Sequence, residues 1–174
     1  MSDDVHRRAA RIALLLFDVD GVLTDGKILM HADGTESKQF DIKDGTGLVW
    51  AQRAGLKVGF LSARSSAATA QRAAQLGITL VHQGVASKLR TYEEILRQQE
   101  LTDADVAYMG DDLLDLPVIV RAGLSAVPAD GAAEVRERAH YVSRAGGGNG
   151  AVREFIELVL KAQDRWERLV SFHD

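Results

Sequence analysis

The chain has 174 residues, of which 46% are hydrophobic and 26% charged, so it is long enough for one folded domain with a sizeable core. Its 21 basic and 25 acidic residues give a formal net charge of −4, which gives no indication of a nucleic-acid or anionic-membrane partner. The absence of cysteine excludes disulfides, thiolate catalysis and cysteine metal sites.

Short apolar runs that are typical of buried strands alternate with segments of helical spacing along the chain. The first run, residues 12–17, is too short for a membrane span or a signal-peptide core, so we expect a cytoplasmic protein. Further strands are predicted at residues 57–61, 79–82, 106–109, 124–127 and 141–142, and helical spacing occurs at 89–96, 113–120 and 152–170. This alternation predicts an α/β fold with a doubly wound parallel sheet.

One segment, residues 26–44, interrupts the alternation. Asp33-Gly34 stands between two strand-like runs, residues 27–30 and 35–42, which predicts a β-hairpin projecting from the loop after the first strand. A hairpin alone is marginally stable in water, so we expect its apolar residues to be buried against other subunits. Those residues are Ile28, Leu29, Met30, Phe40 and Ile42.

The rest of the chain shows no second domain. Residues 146–150, which are glycine-rich, are interpreted as a flexible connector to a C-terminal helix and tail at about 150–174. Residues 1–174 are therefore expected to form one domain.

Polar residues follow several of the predicted strands. They are, in chain order, Asp18, Asp20, Ser62, Lys88, Asp111, Asp112 and Asp115. In a doubly wound sheet, ligands bind beyond the carboxyl ends of the strands, so we expect these side chains to meet at one edge.

The chemistry of this set favours phosphoryl transfer. Clustered carboxylates without histidine or cysteine suit Mg²⁺, and an ion between Asp18, Asp111 and a phosphate oxygen would offset their repulsion. Lys88 would add positive charge and the Ser62 hydroxyl a hydrogen bond. Asp18 is then the predicted nucleophile, forming an aspartyl-phosphate, and Asp20 the general acid and base.

Four segments match a known pattern. They are FDVDGVLTDG at residues 17–26, LSAR around Ser62, ASKL around Lys88 and GDDLLD at residues 110–115. In this order they resemble the four motifs of haloacid-dehalogenase-type phosphatases. The resemblance implies that the carboxylates of Asp18 and Asp111 and the backbone carbonyl of Asp20 hold Mg²⁺. It also implies that Asp115 orients Lys88 or a metal-bound water.

The spacing of the motifs predicts how the site is covered. The intervals from Asp20 to Ser62 and from Lys88 to Asp111 are too short for the cap domain that many relatives carry. A capless enzyme that acts on a small molecule must exclude water in another way. We therefore expect a neighbouring subunit to close the site.

Longer stretches are similar to the capless 3-deoxy-D-manno-octulosonate 8-phosphate (KDO 8-phosphate) phosphatases. These stretches are DGKILMHADGTESKQFDIKDGTG, SARSSAATAQRAAQLGI, VHQGVASK and AGGGNGAVRE. The resemblance implies a homotetrameric enzyme of lipopolysaccharide sugar synthesis that acts on a phosphorylated sugar acid. It further implies that Arg64 contacts the sugar acid and that the C-terminal tail closes a neighbour's site. Two positions depart from the family pattern: Ser62-Ala63 replaces Thr-Gly, and Asn149 replaces an arginine.

Other functions remain open at this level. The same chemistry could serve a related nonulosonate or another small phosphate ester. A receiver-type phosphoacceptor switch is disfavoured because Lys88 precedes the Asp111-Asp112 pair. A catalytically idle assembly module is disfavoured because the predicted catalytic residues are intact.

Overall fold

A computed structural model describes residues 3–171 and contains a six-stranded parallel sheet and a separate two-stranded hairpin. The strands are β1 Leu14–Phe17, β2 Leu29–Met30, β3 Glu36–Ser37, β4 Lys57–Leu61, β5 Leu80–His82, β6 Val106–Met109, β7 Leu124–Val127 and β8 Tyr141–Val142. The α-helices are α1 Asp3–Ala9, α2 Ile42–Arg53, α3 Ala67–Gln75, α4 Lys88–Gln99, α5 Leu116–Ile119, α6 Ala133–Arg136, α7 Ala151–Ala162 and α8 Trp166–Val170. Two 3₁₀ turns lie at Asp103–Asp105 and Leu113–Asp115.

The order of strands confirms the predicted doubly wound sheet. The order is β5-β4-β1-β6-β7-β8, and every neighbouring pair is parallel. Strand β1 lies between β4 and β6, so the chain reverses its direction of winding at β1. Phe17 at the end of β1 is in register with Phe60 of β4 and Met109 of β6. The residues that follow these three strands therefore begin side by side.

Strand β1 is buried on both faces, as its uninterrupted apolar run predicts. Leu15 and Phe17 belong to one core cluster, whereas Leu14 and Leu16 belong to the other. Each of the four side chains is fully buried. Burying one such side chain contributes about 1.5–3 kcal/mol to folding, so β1 fixes the position of the loop that follows it.

Helices α2 and α7 contribute to the core cluster that contains Leu15 and Phe17, and a buried carboxylate joins the two helices. Asp44 of α2 accepts hydrogen bonds from the backbone N–H groups of Gly150 (3.3 Å) and Arg153 (2.7 Å) at the start of α7. These are donors that a helix leaves unpaired within itself. The two helices are therefore joined by hydrogen bonds as well as by apolar packing.

The predicted hairpin is present but shorter than expected. Its strands pair Leu29 with Ser37 and Met30 with Glu36, and Gly34 in the turn has φ +84°. The prediction of a strand through residue 42 was wrong, because α2 begins there. The Asp41 carboxylate accepts hydrogen bonds from the backbone N–H groups of the first turn of α2 and so starts the helix.

The interpretation of residues 146–150 as a flexible connector was also wrong. The Gly147 N–H donates to Asp130 Oδ1 at 2.9 Å, and the Gly148 N–H donates to the Val22 carbonyl at the same distance. A Cβ atom on Gly147 would lie only 1.9 Å from the carbonyl oxygen of Gly21. The segment therefore packs closely against the loop after β1.

Between β1 and β4, and between β5 and β6, the described residues contain the hairpin and helices but no inserted cap domain. Across residues 3–171, no helix combines the length and the apolar character that are needed to cross a bilayer. Residues 172–174, which are part of the predicted tail, lie outside the described residues.

Candidate active site

All of the predicted site residues lie at one cavity beyond the carboxyl ends of β1, β4 and β6. The cavity has a volume of about 260 Å³. Its lining includes Asp18, Asp20, Ser62, Arg64, Lys88, Asp111 and Asp115. The convergence expected from the order of the strands is therefore present, although the chemical role of each residue remains a prediction.

Lys88 joins two of the carboxylates. Its Nζ atom lies 3.0 Å from Asp18 Oδ1 and 2.5 Å from Asp115 Oδ1, and its side chain is 5% exposed. Lys88 is the first residue of α4, where the Ser87 hydroxyl accepts a hydrogen bond from the Arg90 N–H. The start of a capped helix thus fixes the stem of the lysine.

Asp115 is the most heavily hydrogen-bonded member of the set. Its Oδ1 atom accepts from Lys88 and from the Tyr108 hydroxyl, and its Oδ2 atom accepts from the backbone N–H groups of Asp111 (3.1 Å) and Asp112 (3.2 Å). Asp112 itself starts the 3₁₀ turn by accepting from the Leu113 N–H. Asp115 therefore fixes both the lysine and the loop that carries Asp111.

Burial and mutual repulsion alter the acidity of the carboxylates. Burial is the main cause that raises the pKa of Asp18 to about 7; the charge of Asp115 adds to this effect and Lys88 opposes it. Burial, followed by the charges of Asp18 and Asp115, raises the pKa of Asp111 to about 8. Burial lowers the pKa of Lys88, but the two acidic neighbours outweigh it and the net shift is upward. Lys88 alone therefore does not compensate for the negative charges of the three carboxylates.

The geometry of the acidic cluster fits a metal ion. One carboxylate oxygen from each of Asp18, Asp111 and Asp115 lies within 4.8 Å of the others. A donor set made only of oxygen atoms suits a hard divalent cation. Gly21 makes room for this arrangement, because it has φ +86° and a Cβ atom there would lie 2.0 Å from Asp111 Oδ2.

The side chain of Asp20 lies in a different group of charges. Its Oδ1 atom contacts Lys38 Nζ, and its Oδ2 atom lies 3.6 Å from Arg64 Nε. Arg64 Nη2 also donates to Glu36 Oε2 at 2.9 Å. The expectation for Asp20 as a metal ligand concerned its backbone carbonyl, and that remains a prediction.

The hydroxyl of Ser62 is almost fully buried and lies at the end of β4. It accepts a hydrogen bond from the Arg64 N–H at 3.2 Å. It does not cap a helix, because α3 begins at Ala67 after Ser66. Capping of α3 therefore does not explain why Ser62 lies at the cavity.

Asn149, which stands where the family pattern has arginine, bonds within its own loop. Its Nδ2 atom donates to the Gly147 carbonyl at 2.8 Å. It lines a second cavity of about 410 Å³ together with Asp25 and Lys43.

Sequence reasoning missed three residues of the site: Glu36, Lys38 and Tyr108. Glu36 and Lys38 are two positions apart, which places them on one face of an extended strand. Tyr108 lies in a strand that was predicted to be wholly buried, and a buried tyrosine hydroxyl requires a partner. These patterns mark the residues as candidates, but they do not show which groups the side chains face.

Comparison with known proteins identifies the class to which this fold and site belong. A family model described as haloacid dehalogenase-like hydrolase matches residues 60–156. Among similar proteins, the 3-deoxy-D-manno-octulosonate 8-phosphate phosphatase of Yersinia pestis is 44% identical over 167 residues, which cover 96% of this chain and 89% of that protein.

Two solved structures agree with this match. A probable YrbI family phosphatase from Pseudomonas syringae superposes with a TM-score of 0.97 at 44% identity, covering 99% of this chain and 98% of that one. The 3-deoxy-D-manno-octulosonate 8-phosphate phosphatase of Moraxella catarrhalis, solved with a magnesium ion, a phosphate ion and KDO, superposes with a TM-score of 0.98 at 35% identity over 100% of both chains. The chain belongs to the haloacid dehalogenase-like hydrolases and, within them, to the 3-deoxy-D-manno-octulosonate 8-phosphate phosphatase family.

Proposed function

We propose that this protein is a Mg²⁺-dependent phosphatase that hydrolyses 3-deoxy-D-manno-octulosonate 8-phosphate to KDO and phosphate. The observation that carries the proposal is the meeting of Asp18, Lys88 and Asp111 at one cavity. The proposal is also supported by the similar phosphatase of Moraxella catarrhalis, whose structure contains magnesium, phosphate and KDO.

The carboxylates of Asp18 and Asp111 and the backbone carbonyl of Asp20 are the proposed magnesium ligands. Bound there, the ion would supply the positive charge that the cluster lacks and would reduce the repulsion between a carboxylate and a phosphate ester. The raised pKa values of Asp18 and Asp111 support this assignment, because burial and mutual repulsion disfavour the anionic form of the metal-free cluster.

Asp18 is proposed to attack the phosphorus atom of the ester. A bond forms between a carboxylate oxygen of Asp18 and phosphorus, while the bond from phosphorus to the sugar oxygen breaks. The protonated carboxyl of Asp20 gives its proton to the departing oxygen, which leaves as the sugar alcohol. Lys88 and the Ser62 hydroxyl hold the phosphoryl oxygens during this step.

A water molecule then hydrolyses the aspartyl-phosphate. Asp20, now ionised, takes one proton from the water as its oxygen bonds to phosphorus and the bond to Asp18 breaks. Phosphate is released, Asp18 is again a carboxylate, and Asp20 is again protonated for the next turnover. Asp115 takes no part in bond formation and is proposed to hold Lys88 in place.

Arg64 is the proposed contact for the carboxylate of the sugar acid. Its side chain lies at the cavity and is 50% exposed, so its guanidinium is accessible to a ligand. Arginine binds carboxylates with two parallel hydrogen bonds, which suits discrimination between a sugar acid and a neutral sugar phosphate.

A homotetramer in which hairpins pack together is the proposed assembly. Leu29 and Met30, on the first strand of the hairpin, are each 63% exposed in the single chain, and Ile42 is 73% exposed. Leu29 and Met30 lie on the projecting hairpin and Ile42 at the start of α2, and exposed apolar residues of this kind are typical of a protein interface.

A substrate screen with Mg²⁺ tests the proposed function. Steady-state kcat/KM is measured for KDO 8-phosphate, for a nonulosonate 9-phosphate and for common hexose phosphates. We expect KDO 8-phosphate to exceed the hexose phosphates by about a hundredfold or more, since a site built for a carboxylate rejects ligands that lack one.

The Asp18→Asn variant is the control for the nucleophile in that screen. It should lose turnover and keep a normal circular dichroism spectrum.

Similar weak rates on every ester would contradict a dedicated sugar-acid phosphatase. A stable phosphorylated Asp18 without turnover would instead favour a phosphoacceptor switch.

A further inference from the structure

Lys38 is the most deeply buried charged side chain on the hairpin side of the site. It follows β3, and its side chain is 1% exposed. A buried ammonium group must be paired, because its loss of hydration is otherwise very unfavourable. The partner is the Asp20 carboxylate, whose Oδ1 atom contacts Lys38 Nζ. Glu36 Oε1 lies further away, at 3.9 Å.

The surroundings of Lys38 form a group of four charges that balance when Asp20 is ionised, as it is after its proton has passed to the leaving group. Lys38 and Arg64 are the cations, and Asp20 and Glu36 are the anions. Glu36 lies near both cations, and its pKa is lowered, with the Ser66 hydroxyl as the largest cause and Lys38 and Arg64 as further ones. The group connects the hairpin to the loop after β1, which carries Asp20.

The two oxygens of Asp20 are not equivalent in this group. Oδ1 is held by Lys38, whereas Oδ2 is buried and has no hydrogen-bond partner among residues 3–171. Arg64 Nε lies 3.6 Å from Oδ2, beyond hydrogen-bond distance. Asp20 lines the 260 Å³ cavity and Lys38 is not among its lining residues, so Lys38 acts on the reaction through Asp20, its nearest partner, or through Glu36 and Arg64.

We propose that Lys38 is a positioning residue, which anchors Oδ1 of Asp20 so that Oδ2 is the oxygen that exchanges a proton with the leaving group. The inference rests on the proposed function, in which Asp20 is the general acid and base. It adds a role for the hairpin, since the lysine that sets the orientation of Asp20 comes from the end of β3. A correctly placed hairpin is then a condition for proton transfer in the same chain.

Dependence on the leaving group tests this inference. An alkyl ester such as a sugar phosphate needs protonation of its departing oxygen, whereas p-nitrophenyl phosphate releases a stable anion without it. The value of kcat/KM reports the steps up to departure of the leaving group, so it is measured for both substrates. The proteins compared are the wild type, Asp20→Asn, Lys38→Met and Lys27→Met. Lys27 precedes the hairpin, and its side chain is 86% exposed, so it controls for loss of a positive charge in this segment.

We expect Lys38→Met to lose at least tenfold more kcat/KM on the sugar phosphate than on p-nitrophenyl phosphate, in the same direction as Asp20→Asn. Lys27→Met should retain the wild-type ratio. An equal loss on both substrates, no loss, or a rise in KM for the sugar phosphate at constant kcat would overturn the inference. If Asp20→Asn shows no dependence on the leaving group, the proposed role of Asp20 fails and the inference fails with it.

A second variant covers the case in which Lys38→Met does not fold, because it leaves two buried carboxylates beside one cation. The double variant Lys38→Met with Glu36→Gln removes one charge of each sign and keeps the group balanced. It should show the same selective loss on the sugar phosphate, with Glu36→Gln alone as its control. Equal losses on both substrates in the folded double variant would again overturn the inference.

Discussion

At the scale of single residues, Tyr108 shows how a buried hydroxyl can act on the site from a distance. It is fully buried in β6, and its hydroxyl donates to Asp115 Oδ1, the atom that also holds Lys88. Burial and the charge of Asp115 raise its pKa well above the ordinary value, so it remains a donor at physiological pH. Lys88 is thus held by a carboxylate that also accepts a hydrogen bond from Tyr108.

The Tyr108→Phe variant removes only this donor. We expect kcat to fall about tenfold or more, because a hydrogen bond to a charged group contributes about 1.5–3 kcal/mol. Steady-state kinetics with Mg²⁺ measures the change. Tyr141→Phe is the matched control, since its hydroxyl donates to Glu154 at 2.5 Å outside the cavity. Unchanged kcat in Tyr108→Phe would show that Asp115 holds Lys88 unaided.

The raised pKa values of Asp18 and Asp111, about 7 and about 8, predict that magnesium affinity depends on pH. Below these values the metal-free protein holds protons that the ion must displace. We expect affinity to increase as pH rises from 6 to 8.5 and to change little at higher pH. Titration calorimetry in two buffers of different ionisation enthalpy measures both the affinity and the protons released.

The Asp111→Asn variant is the control for that titration. It should release fewer protons on binding, and it should bind more weakly at every pH because one charged ligand is lost. A wild-type affinity that is constant between pH 6 and pH 8.5 would contradict the assignment of these two carboxylates as ligands.

At the scale of elements, the connection between α2 and α7 makes a prediction about stability. Asp44 is buried and pairs with two backbone N–H groups at the start of α7. Asp44→Ala leaves those donors unpaired, so we expect a loss of about 1–3 kcal/mol. Thermal unfolding should show a decrease of roughly 2–4 °C in Tm for each kcal/mol lost. Asp44→Asn keeps an acceptor and should cost less.

The same carboxylate gives a pH dependence with a defined sign. Burial raises the pKa of Asp44 to about 6, above the value near 3.9 that is typical of an unfolded chain. The folded protein then binds more protons than the unfolded chain between about pH 4 and pH 6, so the contribution of Asp44 to stability decreases as pH rises through that range. The Tm difference between wild type and Asp44→Asn should therefore favour the wild type more at pH 5 than at pH 7.5. A difference that is independent of pH would contradict the shift.

Elements differed in how well the sequence predicted them, and the reasons are physical. The central strands were predicted within two residues because burial on both faces requires an unbroken apolar run, as in β1. Helix α2 was missed because Gly45 and Gly47 are poor helix formers, and its start depends on Asp41 as a cap. The close packing of Gly147 against Gly21 was missed because it is a contact between distant segments.

The sequence also predicted some residues of the site and not others. Asp18, Lys88 and Asp111 each stand within two residues of the end of a strand or at the start of a helix, so the topology alone brings them together. Lys38 and Tyr108 could not be placed in this way. Their roles depend on which side chains face each other across the loop after β1, and strand spacing does not determine that.

At the scale of the whole molecule, the hairpin carries both charged residues of the site and exposed apolar residues. Lys38 and Glu36 face the charged group around Asp20, while Leu29 and Met30 are exposed. If the exposed apolar residues pack against other hairpins in a tetramer, assembly fixes the hairpin, and the hairpin fixes Asp20. Oligomeric state and catalysis should then change together.

The Leu29→Glu variant tests this coupling. Leu29 pairs with Ser37 across the hairpin, so the change leaves the Met30–Glu36 pair in place. We expect sedimentation velocity to show a smaller species than the tetramer proposed for the wild type, since a buried charge at an interface is unfavourable. The value of kcat/KM for the sugar phosphate should fall about tenfold or more. Val120→Glu, at a position that is 57% exposed beside α5, is the matched control and should change neither property. A variant that dissociates yet keeps full activity would separate assembly from catalysis, and a wild-type monomer would contradict the proposed tetramer.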